Sequence, residues 1–293
     1  MMDKMVFLVG MPRCGTTNLC NILSQHPNIN AGRLKEPGFF LDDCTNRLYA
    51  YNAKGRKIGF RHLGYLDNEN DYIKNYTSLS GNVWLDGTTI YSLHTDSFIH
   101  SLKKSNLVSR VEKKFIVLYR SKSRRAVSHY LFSLSRGEEF REFEDALSDE
   151  LSGADKDWLL GGYVKGGDYE GVVASISDQF GNNSIRCYDI EKINLSSRNF
   201  LNEITSFIGV EKFSFDPSVY NNSNFSSNSK FANILRLCFK KIKSIHPLFF
   251  EKKIFRNMFE FFCLKFGNNK AIYNKKVSAL VEVYEKCLGV SKK

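Results

Sequence analysis

The sequence has no C-x-x-C pair. Its seven cysteines, at 14, 20, 44, 187, 238, 263 and 287, are odd in number and scattered. Such spacing excludes a zinc ligand set and a disulfide framework, and it points to a reducing, cytoplasmic setting. Long apolar runs are missing too. The best candidate, around 249–266, is broken by Glu251, Lys252, Lys253, Arg256, Glu260 and Lys265, whereas a bilayer span needs roughly 18 apolar residues together. The opening MVFLVG is an apolar run of about six residues, too short for a signal-peptide core. Neither a signal peptide nor a transmembrane helix is therefore expected. There is no internal repeat, and no nucleic-acid recognition motif accompanies the basic charge, so a nucleic-acid partner is not expected.

What is present is a chain able to fold. With 293 residues, 42% of them apolar and 24 of them Phe, it can bury a sizeable core and does not have the composition of a disordered segment. The net charge of +11 is unevenly placed: residues 230–293 hold 15 Lys and Arg against 4 Asp and Glu, so residues 1–229 balance to zero. A basic block of this kind suits an anionic partner, such as a membrane surface or an acidic glycan, or else a solvated helical face.

Met5–Gly10 reads as a buried strand, followed by a Gly/Pro turn and a helix over Thr16–Gln25 that His26-Pro27 ends. Residues 40–80 show weak periodicity and read as irregular structure with short helices. Val83–Leu85, Phe115–Tyr119 and Ile185–Tyr188 read as further strands, and Arg124–Ser135, Gly171–Phe180 and Phe200–Ile208 as helices. Alternating strands and helices imply an α/β fold of three layers, a mostly parallel central sheet flanked by helices. The polar stretch Asn221–Ser229 reads as a loop. The expected division is thus an α/β domain over 1–229 and a basic helical C-terminal region over 230–293, packed on the same domain.

The most informative segment is Gly10-Met11-Pro12-Arg13-Cys14-Gly15-Thr16-Thr17, between the first strand and the first helix. Strand, glycine turn and helix N-terminus together form a phosphate cradle: backbone N–H groups and the helix dipole face the anion. The G-x-x-x-x-G spacing is that of a nucleoside-triphosphate loop, but Thr16 stands where the lysine would be. The positive charge sits instead on Arg13, whose guanidinium can fork onto a phosphate or sulfate, with the Thr16 and Thr17 hydroxyls beside it. Missing that lysine, a small-molecule kinase is the weaker alternative. A catalytically inactive nucleotide-binding module is another.

The segment FLVGMPRCGTTNLCNILSQHPNI resembles the 5′-phosphosulfate loop of PAPS-dependent sulfotransferases, enzymes that use 3′-phosphoadenosine 5′-phosphosulfate and release the bisphosphate PAP. KEPGFF at 35–40 resembles an element of the carbohydrate-type branch, related to heparan sulfotransferases, and the whole looks like a soluble, bacterial-type member. FIVLYRSKSRRAVSHYLFSL resembles the 3′-phosphate element. Weaker likeness continues from Gly167-Asp168-Tyr169 through Ile193 to FLNEITSFIGV, so the resemblance spans about residues 5–215. It implies a P-loop-type fold, with Arg13, Cys14, Gly15, Thr16 and Thr17 on the 5′ side of the donor and Arg120 and Ser128 on its 3′-phosphate. It further implies Glu36 as the catalytic base with Lys35 beside it, and no requirement for a metal. Asp86, His62 and His94 are rival bases. Where the family often has E-K-[ST]-P-x-Y, this chain reads Asp86-Gly87-Thr88-Thr89-Ile90-Tyr91, without the lysine. Lys230 is a substitute for the basic loop that covers the adenosine. The branch points to a sugar hydroxyl as acceptor, with Tyr49, Tyr51, His62, Tyr65 and Tyr72 as candidate walls for a glycan. The basic region 230–293 is a candidate for contact with an anionic membrane.

Overall fold

The computed structural model describes residues 2–41, 49–51, 57–59, 64–77, 79–136, 139, 141–153, 162–216, 218 and 270–289. In chain order the elements are β1 (Lys4–Leu8), α1 (Thr16–Leu23), β2 (Ile29–Asn30), β3 (Tyr49–Tyr51), β4 (Lys57–Gly59), α2 (Glu69–Thr77), β5 (Val83–Asp86) and α3 (Thr95–Lys104). They continue with β6 (Glu112–Tyr119), α4 (Lys122–Arg136), α5 (Phe143–Leu151), α6 (Tyr169–Phe180), β7 (Ile185–Asp189), α7 (Arg198–Ile208) and α8 (Lys270–Cys287). The chain divides into two compact units. One comprises Met1–Arg47, Phe60–Arg125 and Lys165–Asn222, and the other Leu48–Gly59, Ala126–Val164 and Ser223–Lys293.

The first unit holds a five-stranded sheet in the order β2-β5-β1-β6-β7. Every pairing in it is parallel, so each strand-to-strand connection must cross over, and helices do the crossing. The mostly parallel α/β architecture expected from the sequence is the one found. β1 lies at the centre, and Met5, Val6, Phe7 and Leu8 are fully buried, as the unbroken apolar run of a central parallel strand requires. Phe7 stacks on Phe115 at 5.4 Å and meets Phe40 and Phe98 edge-on at 5.5 and 5.2 Å. This aromatic cluster packs the centre of the sheet.

The strand order creates a switch point. From β1 the chain proceeds towards β2 and β5 on one side, and from β6 towards β7 on the other. In open parallel sheets the carboxyl ends of the strands beside such a switch point are the usual ligand position.

In the second unit α5 and α8 pack together, around Val127, Leu131, Phe143, Leu147, Tyr163 and Tyr284, with Leu280 against them. The strands β3 and β4 form a separate antiparallel pair. Two helices, α3 and α5, fall in stretches for which the sequence pattern predicts neither helix nor strand. Residues 221–269, with the polar loop and the first basic segments read from the sequence, lie outside the described residues. Among the described residues no helix is long and apolar enough to cross a membrane.

Candidate active site

The loop between β1 and α1 leaves the sheet along β6. The Gly10 N–H donates to Ile116 O at 3.3 Å and the Met11 N–H to Leu118 O at 2.9 Å. The Cys14 N–H then closes the turn onto Met11 O at 3.1 Å. Two consequences follow for the backbone. Arg13 adopts a positive φ of 71°, costing a non-glycine residue on the order of 1–2 kcal/mol. Gly15, at φ 79°, serves as N-cap of α1 without a side-chain cap, and a helix N-terminus of this kind is suited to hold an anion. Strain of this kind in a ligand loop is typical of functional sites. Thr16 is buried and Thr17 exposed.

Cys14 is buried beneath the loop. Burial pushes its thiol up to about 12, against the pull of the Arg125, Arg120 and Arg13 guanidiniums, while Glu191 adds to the rise. The thiol therefore stays protonated and is no nucleophile. Of these charged groups, Arg13 belongs to the loop itself, Arg120 follows β6, Arg125 lies in the first turn of α4, and Glu191 follows β7. Arg125 is only 1% exposed and lies against Gly166. Sequence reasoning missed it, because nothing in a helical Arg-Arg pair says which guanidinium turns inward.

Arg120 donates from Nη2 to Glu191 Oε1 at 3.1 Å. The Glu191 carboxylate also receives Arg124 Nη1 at 3.3 Å and the Ser121 N–H at 3.2 Å. Partial burial tends to raise its pKa, yet these donors hold it below the usual carboxylate range. Ser128, eight positions after Arg120, stands half-buried on α4. Lys230 lies outside the described residues.

On the other side of β1, the carboxyl end of β5 holds Lys35 and Glu36. The Gly87 N–H donates to Lys35 O at 3.0 Å, and Lys35 Nζ returns to Gly87 O at 3.1 Å. Lys35 Nζ also pairs with Glu36 Oε1 at 2.5 Å, and Thr89 Oγ1 donates to Glu36 Oε2 at 3.2 Å. The Glu36 side chain keeps 35% of its exposure, so a substrate can reach it. A Cβ on Gly87 would come within 3.1–3.3 Å of Lys35, so the Lys35 side chain and carbonyl pack over that position. Cys20 on α1 is buried, and burial raises its thiol to about 11, with Lys35 opposing the rise and Asp86 and Glu36 adding to it.

Asp86, a rival base by sequence, is fully buried. Its Oδ2 accepts the Tyr72 and Tyr91 hydroxyls, both at 3.0 Å, and Oδ1 accepts the Thr88 N–H at 3.0 Å. Burial pushes its carboxyl up to about 6, against these donors. Tyr91 OH in turn receives the Phe40 N–H at 3.2 Å, and Thr88 Oγ1 the Gly38 N–H at 3.1 Å. Asp86 therefore ties the strand end to the Lys35–Phe40 segment from within the core, out of reach of a substrate. Tyr72 is likewise core and not a glycan wall. Tyr65 is half-buried over Gly38. His94 heads α3 half-buried, and His62 lies outside the described residues, as do the side chains of Tyr49 and Tyr51.

Comparison with solved structures bears on the fold. A sulfotransferase from Alicyclobacillus acidocaldarius superposes with a TM-score of 0.60 at 20% identity, over 81% of this chain and 94% of the other, which establishes the shared fold. The sulfotransferase domain of the Synechococcus PCC 7002 olefin synthase aligns at 16% identity over 76% of this chain and 78% of that one, with a TM-score of 0.42. No curated protein matches the chain. The profile of the sulfotransferase domain matches residues 3–234, which include the phosphate loop, the Lys35–Glu36 pair and Arg120. That family implies a PAPS-type nucleotide as sulfo donor and a hydroxyl-bearing acceptor, and the chain belongs to it: it is a sulfotransferase.

Proposed function

We propose that this sulfotransferase moves the sulfo group of PAPS to a carbohydrate hydroxyl, with Glu36 as the base. The observation that carries the reading is a glycine-arginine loop after β1 and a partly exposed carboxylate at the end of β5, neighbouring strands of one sheet. The loop N–H groups of α1 and the Arg13 guanidinium hold the 5′-phosphosulfate, with Thr16 and Thr17 as hydroxyl donors and Cys14 and Gly15 shaping the turn. Arg120 and Ser128 hold the 3′-phosphate, and Lys230 covers the adenosine.

In the transfer, the acceptor oxygen bonds to sulfur while its proton passes to the Glu36 carboxylate. The bond from sulfur to the bridging oxygen breaks, and PAP leaves with the electron pair. Arg13 and Lys35 offset the charge that grows on the leaving phosphate, where preorganised donors act most strongly. Thr89 and Lys35 hold the Glu36 carboxylate in one orientation. A sugar acceptor is supported by the K-E-P-G-F-F segment, and the half-buried Tyr65 over Gly38 supplies an aromatic wall near it. The basic region 230–293 docks the enzyme on an anionic membrane.

Incubation with labelled PAPS and a panel of glycans tests the reading. Transfer to a sugar is expected, and Glu36→Gln should lower kcat by roughly 10²–10⁴-fold, the usual worth of a general base, with PAP affinity retained. Undiminished turnover in Glu36→Gln would remove the base assignment. Sulfation of simple alcohols or phenols with every glycan untouched would remove the sugar.

A further inference from the structure

The contacts around Arg120 carry a consequence for the donor. Glu191 sits two residues beyond β7, and the β6–β7 register pairs Tyr119 with Asp189, so the turn after β7 necessarily lies beside the residue after β6. Glu191 thereby occupies three donors at once: Arg120 Nη2, Arg124 Nη1 and the Ser121 N–H. A fork of guanidinium groups plus a backbone N–H is the donor set that suits a phosphate. Here a carboxylate of this chain's own fills it. The Arg120 Nε is also buried with no acceptor among the described residues, so the guanidinium has hydrogen-bonding capacity that Glu191 leaves unused. Glu191 keeps 27% side-chain exposure, and its own N–H is held by Asp189 Oδ1 at 3.0 Å. The side chain can therefore turn out to solvent while the backbone stays fixed.

Resting on the reading of Arg120 as a 3′-phosphate residue, we propose that Glu191 is an intramolecular competitor for that phosphate, a specificity-determining residue that lowers the affinity for 3′-phosphorylated nucleotides. A phosphate dianion and a carboxylate cannot share the same guanidinium without repulsion, so the donor must displace Glu191 to bind. The displacement costs part of the binding energy of both PAPS and PAP, which eases release of the product. A nucleotide with a free 3′-hydroxyl leaves Glu191 in place and does not bear this cost. Were Glu191 instead a brace that orients Arg120 towards the phosphate, its removal would weaken binding. The two roles predict opposite signs.

The test is calorimetric titration of the full chain with PAP and with adenosine 5′-monophosphate, comparing wild type, Glu191→Gln, Glu191→Ala and Arg120→Ala. Competition predicts that both Glu191 variants bind PAP about three- to tenfold more tightly, the scale of losing one partly exposed ion pair and one like-charge contact, with adenosine 5′-monophosphate affinity unchanged. Arg120→Ala should weaken PAP alone. Equal or weaker PAP binding in the Glu191 variants, with Arg120→Ala impaired, overturns the competitor role and leaves the Arg120 reading standing. Undiminished PAP affinity in Arg120→Ala overturns both.

Discussion

Asp86 is the residue whose chemistry is most at odds with its surroundings. Its carboxyl titrates near 6 in the fold against about 3.9 in an open chain. Between those values the folded protein binds more protons than the unfolded chain. Its contribution to stability is therefore complete below about pH 4 and lost as pH rises through 6, a change on the order of 3 kcal/mol. Glu112, Glu170 and Glu191, all held low by their partners, act with the opposite sign, so the difference between wild type and Asp86→Asn isolates the term. Thermal unfolding from pH 4 to 7 should show the variant gaining on wild type as pH rises, and a constant difference would contradict a raised Asp86. At this scale the sequence was most readable where residues are contiguous. Arg13, Gly15 and Thr16 could be read from eight consecutive letters because one turn holds them. The clasp of Glu191 on Arg120 spans 71 positions and exists only because β6 and β7 are neighbours. No local pattern carries that information.

Among elements, the strands and the helices that follow them were legible wherever apolar periodicity was dense, as in β1, β6 and α7. The helix α3 was not. In TDSFIHSLKK only Phe98, Ile99 and Leu102 are apolar and buried, too few to mark a face. α5, FEDALSDEL, likewise buries only Phe143, Ala146 and Leu147. Tertiary packing decides such segments. α6 shows how a boundary is set by a single side chain: Asp168 accepts the Gly171 N–H at 3.1 Å and starts the helix two residues before the point read from the sequence. Asp168→Ala should cost about 1 kcal/mol, visible as a lower urea midpoint with an unchanged slope. Wild-type stability in that variant would show the cap to be idle.

For the molecule as a whole, the sequence located the basic excess in residues 230–293 but not the part α8 plays in the second unit's core, where Tyr284 and Leu280 meet α5. Deleting the whole region would remove those contacts along with the charge. Neutralising Lys240, Lys241 and Lys243 to Gln tests the charge alone. Affinity for anionic vesicles, read by co-sedimentation, should fall on the order of a hundredfold in the triple variant, as expected when about 1 kcal/mol is lost for each of three basic residues at a membrane surface. Equal sedimentation would end the docking proposal.

Sulfo transfer from PAPS requires the first loop to grip the donor's anion. Arg13→Gly is the sharpest probe of it, because glycine tolerates the φ of 71° and relieves strain while removing the guanidinium. Titrated with PAP in a calorimeter, wild type should release heat and saturate, while Arg13→Gly should stay folded, at least as stable, and bind at least tenfold more weakly, the loss expected for a charge-assisted bond. An absence of heat with wild type, or equal affinity in Arg13→Gly, would contradict it.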